Sequence, residues 1–338
     1  MANSGRGAVV LCLGLAAVLG ACHTSPDTVA SSYGDYDPEQ PPVVLPLEGA
    51  IGLSDPCLFR WHGTYWVFSS GPGIAIASSQ DLVTFRDGAP LFAQNPAWIA
   101  QSLPQVTDLW SPDVRAFGGV IHLYYAASTF GSGRSCIGHA TTTDLKLPFV
   151  DQGSVVCSNL GGDVDEFDAI DPVLFLDAPD DPWLVFGSYG AGIQLIALDG
   201  NGQRRDAEMH ALAVRSPDNP AIQAPFLYRW RDTYYLFVSF DTCCIGVSST
   251  HNIRVGRSAR LLGPYVDRDG VPMLEGGGTL VLASDARYKG PGSNMVLDDG
   301  GQRLNVYHAY DSERQGAPVL RMATLFFDND GWPVTAGP

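Results

Sequence analysis

Acidic side chains beside proline recur along the chain and are the residues best suited to proton transfer. Asp55 and Asp171 each precede a proline, and Asp113 follows one, near the start of an apolar segment. Carboxyl groups brought together could perform general acid–base chemistry, because one can accept a proton while another donates one. A fourth such segment carries Gln223, whose carboxamide can hydrogen-bond but is not an acid, and a fifth carries Ser293.

These residues belong to a repeat. Five segments, which begin at residues 55, 111, 171, 224 and 293, share one plan of an apolar strand, a tight turn and a strand rich in aromatic residues. A further strand-like segment follows the hairpins, and no stretch resembles a long amphipathic helix. Repeats of this length are typical of propeller blades. The sequence therefore predicts an all-β fold, a five-bladed β-propeller with four antiparallel strands per blade.

A propeller would bring the five positions together. The innermost strand of each blade runs along the central channel, so residues at the strand starts surround one channel mouth. We therefore expect Asp55, Asp113, Asp171, Gln223 and Ser293 to lie around one opening, although they are distant in sequence. Proline is tolerated there because the first residue of a strand need not donate to the ladder.

Residues 50 to 335 resemble glycoside hydrolase family 43, and within it the endo-acting α-1,5-L-arabinanases. The resemblance is carried, in order, by "SDPCLF", "WSPDV", "AIDPVLFLD", "APFLYRWRDTYYLFVSFD", "NIRVGRS", "GGGTL" and "VYHAYD". It implies a five-bladed propeller, in agreement with the repeat. It also implies hydrolysis of α-1,5-linked L-arabinan or arabino-oligosaccharides with inversion.

The resemblance assigns roles to individual residues. An inverting glycosidase holds two carboxyl groups roughly 6.5–9.5 Å apart, one to deprotonate water and one to protonate the leaving oxygen. The general base maps onto Asp55, and a third carboxylate, which orients the acid and tunes its pKa, maps onto Asp171. The general-acid position is occupied by Gln223. Trp110 and Phe130 map onto the sugar cleft, although either could instead pack between blades.

Three other positions depart from the family pattern, which has histidine at Ser54, asparagine at Asp168 and histidine at Ser293. In the arabinanases the last histidine helps to hold a calcium or similar ion in the central channel. Ser293 is a poorer ligand for it, although Ca²⁺ accepts six to eight oxygens, waters included. Asp168 is expected at the substrate site, and it or Glu166 could supply the missing proton, because crowded carboxyls raise one another's pKa. The alternative is an acidic loop that faces water.

Gln223 leaves more than one function open. The chain could be a hydrolase that is slow or uses a substitute acid, or a weakened relative that captures arabino-oligosaccharides as a binding protein. A related arabinofuranosidase or xylosidase is a third interpretation. The net charge of −16 argues against nucleic acid and anionic membrane surfaces as partners, and is neutral about sugars.

The N-terminal region predicts export. Residues 1–21 are interpreted as a lipoprotein-type signal peptide, because an apolar run follows Arg6 and ends in Leu19-Gly20-Ala21-Cys22, which resembles a bacterial lipobox. Lipid on Cys22 would then anchor the protein to the cell envelope as its only membrane contact; the alternative is a plain cleaved signal and a secreted protein. Residues 22–45 are interpreted as a flexible tether and 46–338 as the propeller domain.

Export also permits disulfides. Cys136 and Cys157 lie in neighbouring strand-like segments and could pair, and the adjacent Cys243 and Cys244 could form a vicinal bridge, although spacing does not fix connectivity. His308, in the middle of a strand-like segment, is interpreted as a hydrogen-bonded inner-blade residue.

Overall fold

Five β-sheets surround one channel in the computed structural model, which describes residues 34–158, 167–216 and 218–338. Blade 1 comprises β1 (Glu48–Gly49), β2 (Cys57–Trp61), β3 (Thr64–Ser69), β4 (Ala75–Ser79) and β5 (Thr84–Asp87). Blade 2 comprises β6 (Leu109–Phe117), β7 (Val120–Ser128), β8 (Ser135–Thr142) and β9 (Val150–Cys157). Blade 3 comprises β10 (Val173–Ala178), β11 (Asp181–Phe186), β12 (Ile193–Ala197) and β13 (His210–Ala213).

The remaining two blades follow the same plan. Blade 4 comprises β14 (Ile222–Trp230), β15 (Thr233–Phe240), β16 (Asn252–Ser258) and β17 (Thr279–Leu282). Blade 5 comprises β18 (Tyr288–Asp299), β19 (Gln302–Asp311), β20 (Ala317–Phe327) and β21 (Pro333–Thr335). The described helical segments are short: α1 (Ala97–Ser102) and 3₁₀ turns at Gly246–Ser248, Met273–Glu275 and Ser312–Arg314. Among the described residues, no helix is long and apolar enough to cross a membrane.

Each sheet has its first long strand innermost. The strands β2, β6, β10, β14 and β18 contact one another in that order, and β18 contacts β2, so the ring is closed. Neighbours within a blade are antiparallel, except that β1 pairs parallel with β5. The predicted five-bladed propeller is therefore confirmed, with one correction: blade 1 has a fifth, two-residue strand.

The strands near the channel are buried on both faces. All of β7 after its first residue is buried, and so is all of β15 after its first residue. Neighbouring blades cover both faces of these strands, which explains why their sequences are continuously apolar and aromatic rather than alternating. Cys136 and Cys157 are register partners on β8 and β9 and form a disulfide, as do Cys243 and Cys244.

The segment before blade 1 joins the last blade to the first. Residues 34–45, within the segment interpreted as a tether, run along β20, where Leu45 N–H donates to Met322 O (2.9 Å) and Thr324 N–H donates to Val43 O (3.0 Å). Farther back, the Asp35 carboxylate pairs with Arg303. The chain then adds β1 to the edge of β5, so that it bridges blades 5 and 1. Residues 22–33 lie outside the described residues.

We expect removal of residues 34–45 to destabilise the propeller. The deletion removes several hydrogen bonds to β20 and one ion pair, each worth about 0.5–1.5 kcal/mol, so the free energy of unfolding should fall by about 2–5 kcal/mol. Chemical unfolding of chains that begin at residue 34 and at residue 46 measures the difference. Equal unfolding midpoints would contradict this bridging role.

Candidate active site

A backbone kink is repeated within or just before every inner strand. In each blade one non-glycine residue has a positive φ between 44° and 54° and is followed by proline, or in blade 5 by asparagine. These kink residues are Asp55, Ser111, Asp171, Ala224 and Ser293. A left-handed conformation at a non-glycine residue costs about 1–3 kcal/mol and is found mainly at functional sites. Each kink residue thereby has its side chain, or in Ala224 its backbone N–H group, at the same channel mouth.

Hydrogen bonds made by the kink residues cross all five blade interfaces. Ser293 Oγ donates to Asp55 Oδ1 (2.7 Å), and Ser293 N–H donates to Ser239 Oγ of blade 4 (3.0 Å). Ser111 Oγ donates to Asp171 Oδ1 (2.5 Å), and Ala224 N–H donates to Asp171 Oδ2 (3.0 Å).

The ring is completed between blades 1 and 2. Ser70, just after β3, donates through Oγ to Asp55 Oδ2 (2.6 Å) and accepts from the N–H of Ser111 (2.8 Å). We call the whole set the mouth ring: the five kink residues with Ser70 and Ser239. Its two carboxylates are the only charged groups among these seven residues.

A cleft of about 420 Å³ opens above the mouth ring. It is lined by Asp55, Asp171 and Gln223, together with Trp110 and Phe130. The Trp110 and Phe130 ring centroids are 4.8 Å apart at a tilt of 43°, and Phe130 is 72% exposed. An apolar surface beside a few convergent polar groups is the usual composition of a sugar-binding cleft.

The chain matches the family described as glycosyl hydrolases family 43 over residues 50–333. It is 34% identical over 287 residues to extracellular endo-α-(1→5)-L-arabinanase 1 of Bacillus subtilis (strain 168), covering 83% of this chain and 87% of the relative. It is also 34% identical over 300 residues to extracellular exo-α-(1→5)-L-arabinofuranosidase ArbA of Cellvibrio japonicus (strain Ueda107), covering 84% and 86%.

A solved structure agrees with both sequence relatives. The α-L-arabinanase of Cellvibrio cellulosa complexed with arabinohexaose matches with a TM-score of 0.79 and 33% identity, over 84% of this chain and 95% of that one. The chain belongs to glycosyl hydrolase family 43. Within this family 43 fold, the mouth ring and cleft define the candidate active site.

The two ring aspartates have different surroundings. Asp55 accepts hydroxyl hydrogen bonds at both carboxylate oxygens, and its backbone N–H donates to His308 Nδ1 (3.1 Å). His308 is buried on β19, in agreement with its interpretation as an inner-blade residue, and burial lowers its pKa. For Asp171, burial and then the Asp55 charge raise the carboxyl pKa to about 7. A pKa raised this far is unusual for an aspartate, and it favours the protonated form well above pH 4.

Gln223 is held by a histidine. Its side-chain amide nitrogen makes a short contact with His251 Nε2, and both residues line the cleft. The donor and acceptor in this contact depend on the histidine tautomer, and His251 Nδ1 has no hydrogen-bond partner among the described residues. Burial lowers the His251 pKa to about 3, so the imidazole is neutral. A Cβ at Gly292 would collide with this ring, which explains glycine there.

One residue that was predicted at the channel mouth lies elsewhere in the structure. Asp113 was expected at the opening, but it lies two residues beyond the kink residue Ser111 and is 3% exposed. It accepts from Leu174 N–H (2.9 Å) and lies 3.4 Å from the Arg115 guanidinium, so it links blades 2 and 3 below the mouth ring. The prediction was wrong because Asp113 follows its proline, whereas the kink residue precedes it.

Asp168 lies beside the cleft rather than in its described wall. Its Oδ2 accepts from Ser188 Oγ (3.1 Å), and burial raises its pKa. Glu166, the other sequence candidate for a proton donor, lies outside the described residues.

The donor set for a cation in the channel is poor. The Ser293 hydroxyl donates to Asp55. A cavity of about 40 Å³ next to the mouth ring is lined by the five kink residues and the two residues after each. Among the described residues, no group of three or more His, Cys, Asp or Glu side chains is placed to hold a metal ion. These residues therefore do not fit a protein-built calcium cage.

Several cleft residues were missed from sequence. Ser70, Asp108, His251, Tyr310 and the Cys243–Cys244 disulfide all line the cleft or its floor. Ser111 could have been found, because it precedes Pro112 as Asp55 precedes Pro56. Ser70 and His251 come from second strands and loops, for which the repeat gave no signal.

We expect Asp171→Asn to raise thermal stability at pH 8, with a smaller gain near pH 4. The unfolded chain loses the Asp171 proton near the ordinary pKa of 3.8, whereas the folded protein keeps it to about 7. Stability of the parent therefore falls as pH rises between these values, and asparagine removes that dependence. Calorimetric Tm values from pH 4 to 8 test this.

The matched control is Asp180→Asn, which removes the same charge from an exposed turn of a chain of net charge −16. A Tm difference between parent and Asp171→Asn that does not change with pH would contradict the assigned protonation of Asp171.

Proposed function

We propose that this protein hydrolyses α-1,5-linked L-arabinan or arabino-oligosaccharides with inversion. The observation that carries the proposal is the meeting of Asp55, Asp171 and position 223 beneath an aromatic-lined cleft in a family 43 propeller. Two relatives are named for α-(1→5)-L-arabinose polymers, and a third was solved with arabinohexaose.

The proposed chemistry starts at Asp55. Its carboxylate, accepting from Ser70 and Ser293, is held in one orientation and takes a proton from a water that attacks the anomeric carbon. Asp171 lies on a non-neighbouring blade and orients and tunes the opposite side of the cleft. Gln223 contacts the leaving oxygen by hydrogen bonding, and Trp110 and Phe130 pack against sugar faces. Asp168 acts from beside the cleft.

A binding protein for arabino-oligosaccharides is the second candidate, and Gln223 is the observation that favours it. A positioned general acid is worth about 10²–10⁴ in rate, and a carboxamide does not replace it. The shape of the site would be kept, so sugar could bind while turnover is slow. A related arabinofuranosidase or xylosidase activity is a further alternative, and one relative is named as an exo-acting arabinofuranosidase.

We expect the parent chain to release reducing ends from debranched arabinan, and Gln223→Glu to change that rate by less than tenfold. Gln223→Ala is the matched control, because it removes the hydrogen bond as well as the carboxamide shape. Measurement of reducing ends and of sugar affinity by calorimetry separates the candidates. An inert parent that binds the sugar, together with a Gln223→Glu variant that cleaves it, would establish the binding protein instead.

A calcium ion in the channel stays a prediction. Ser293 replaces the histidine of the family's ion site, and its hydroxyl donates to Asp55. If an ion binds, water would supply most of its ligands. The proposed chemistry uses no ion.

We propose that the protein is exported, with Cys22 as the lipid attachment site. The lipobox-like end of the leader supports the anchor, and two relatives are named extracellular. We expect Cys22→Ser, expressed in a bacterium that processes lipoproteins, to move the protein from the membrane fraction to the soluble one. Cys57→Ser, at a buried free thiol, is the control. An unchanged distribution would favour the plain secretion signal.

A further inference from the structure

Among the described residues, neither Gln223 nor the histidine that contacts it is an acid suited to protonate a leaving oxygen. Gln223 is 7% exposed and its amide is engaged by His251. That histidine is neutral because burial lowers its pKa to about 3, and a neutral imidazole is a very weak acid. A leaving sugar oxygen near Gln223 must therefore receive its proton from another group in the cleft.

Three carboxyl groups line the cleft among the described residues: Asp55, Asp108 and Asp171. Asp55 accepts a hydroxyl hydrogen bond at each carboxylate oxygen, and the two bonds hold the carboxyl in one orientation, as a base requires. Asp108 is two residues from Trp110, in the aromatic wall on blade 2. Asp171 is the carboxyl that touches the Gln223 segment, because Ala224 N–H donates to its Oδ2.

Asp55 and Asp171 lie on opposite sides of the channel mouth. Asp171 is on blade 3 and Gln223 on blade 4, which are neighbours, whereas Asp55 is on blade 1 and is next to neither blade. Asp171 thus shares a side of the opening with the lost acid and is separated from the base. Ser111 Oγ donates to Asp171 Oδ1 (2.5 Å), and a protonated Oδ1 can still accept this bond through a lone pair, which leaves its own proton for the leaving oxygen.

We propose that Asp171 is the general acid of this protein, in place of the residue at position 223, and that Gln223 aligns the leaving oxygen by hydrogen bonding. This inference rests on the proposed hydrolysis of arabino-oligosaccharides. Asp171, which the resemblance assigns only to orient the acid and tune its pKa, is then the proton donor itself.

The step balances without a further reactant. Asp55 takes one proton from water as the water oxygen bonds to the anomeric carbon. The glycosidic bond breaks with its electron pair passing to the leaving oxygen, which takes the proton from Asp171. Asp55 ends protonated and Asp171 ionised, and solvent returns the proton from one to the other after the products leave.

The electrostatics of the site agree with this division. Burial and the negative charge of Asp55 raise the Asp171 pKa to about 7, with a smaller contribution from Asp168 on the same segment. Tyr189 also faces this charge, and its own pKa is raised by burial, Asp168 and Asp171.

The test compares two leaving groups. A sugar alkoxide needs protonation, whereas a dinitrophenolate leaves without it. We expect Asp171→Asn to lower kcat/KM on linear α-1,5-arabinotriose by 100-fold or more, and on dinitrophenyl α-1,5-arabinobioside by less than tenfold. Asp55→Asn, which removes the base, should lose both activities. Calorimetric binding of arabinotriose checks that each variant is folded.

The parent protein supplies a second measurement that needs no variant. Its kcat/KM on arabinotriose should fall above about pH 7 as Asp171 ionises, and on the dinitrophenyl substrate it should stay level there. The inference is overturned if Asp171→Asn loses both activities equally, or if the alkaline fall is the same for both substrates.

Other donors give different results. If His251→Gln, Asp168→Asn or Glu166→Gln shows the split between substrates and Asp171→Asn does not, that residue is the donor and the inference is wrong. A parent that cleaves neither substrate refutes the proposed function and the inference together. Cleavage of both by the parent, without a split in Asp171→Asn, refutes the inference alone.

Discussion

The fold depends on hydrogen bonds that cross from blade to blade at one mouth of the channel. Each link of the mouth ring joins a strained kink residue to its neighbour, and the strain of about 1–3 kcal/mol is of the same size as a hydrogen bond to a carboxylate. Asp55 and Asp171 receive four of these bonds. The two aspartates that are suited to acid–base chemistry therefore also link neighbouring blades.

The two ring aspartates differ in their hydrogen-bond partners. Asp55 has hydroxyl donors at both oxygens, whereas Asp171 has one hydroxyl, one backbone N–H and a more enclosed position. A glutamate at position 223 would place a third carboxyl beside Asp171. The amide of Gln223 removes that repulsion and leaves a neutral partner for His251. The substitution therefore changes the charge of the whole cleft and not one side chain alone.

The repeat made the ring and most of the site predictable. Spacing and aromatic content identified five hairpins, and ring closure then placed Asp55, Asp171 and Gln223 around one opening. Asp113 was misplaced because proline marks the kink only when it follows the residue, and the left-handed backbone itself has no sequence signature at serine or alanine. Ser70, Ser239 and His251 reach the site from second strands and a loop, so their positions follow from tertiary packing. The protonation of Asp171 depends on that packing as well.

The segment that bridges blades 5 and 1 has a mechanical consequence. Its hydrogen bonds to β20 lie across the direction of the segment, as in any antiparallel pair. Tension drawn along the segment from its N-terminal side would load these bonds together, in shear, and would not peel them one at a time. A pull on the N-terminal end of this segment is therefore shared by two blades.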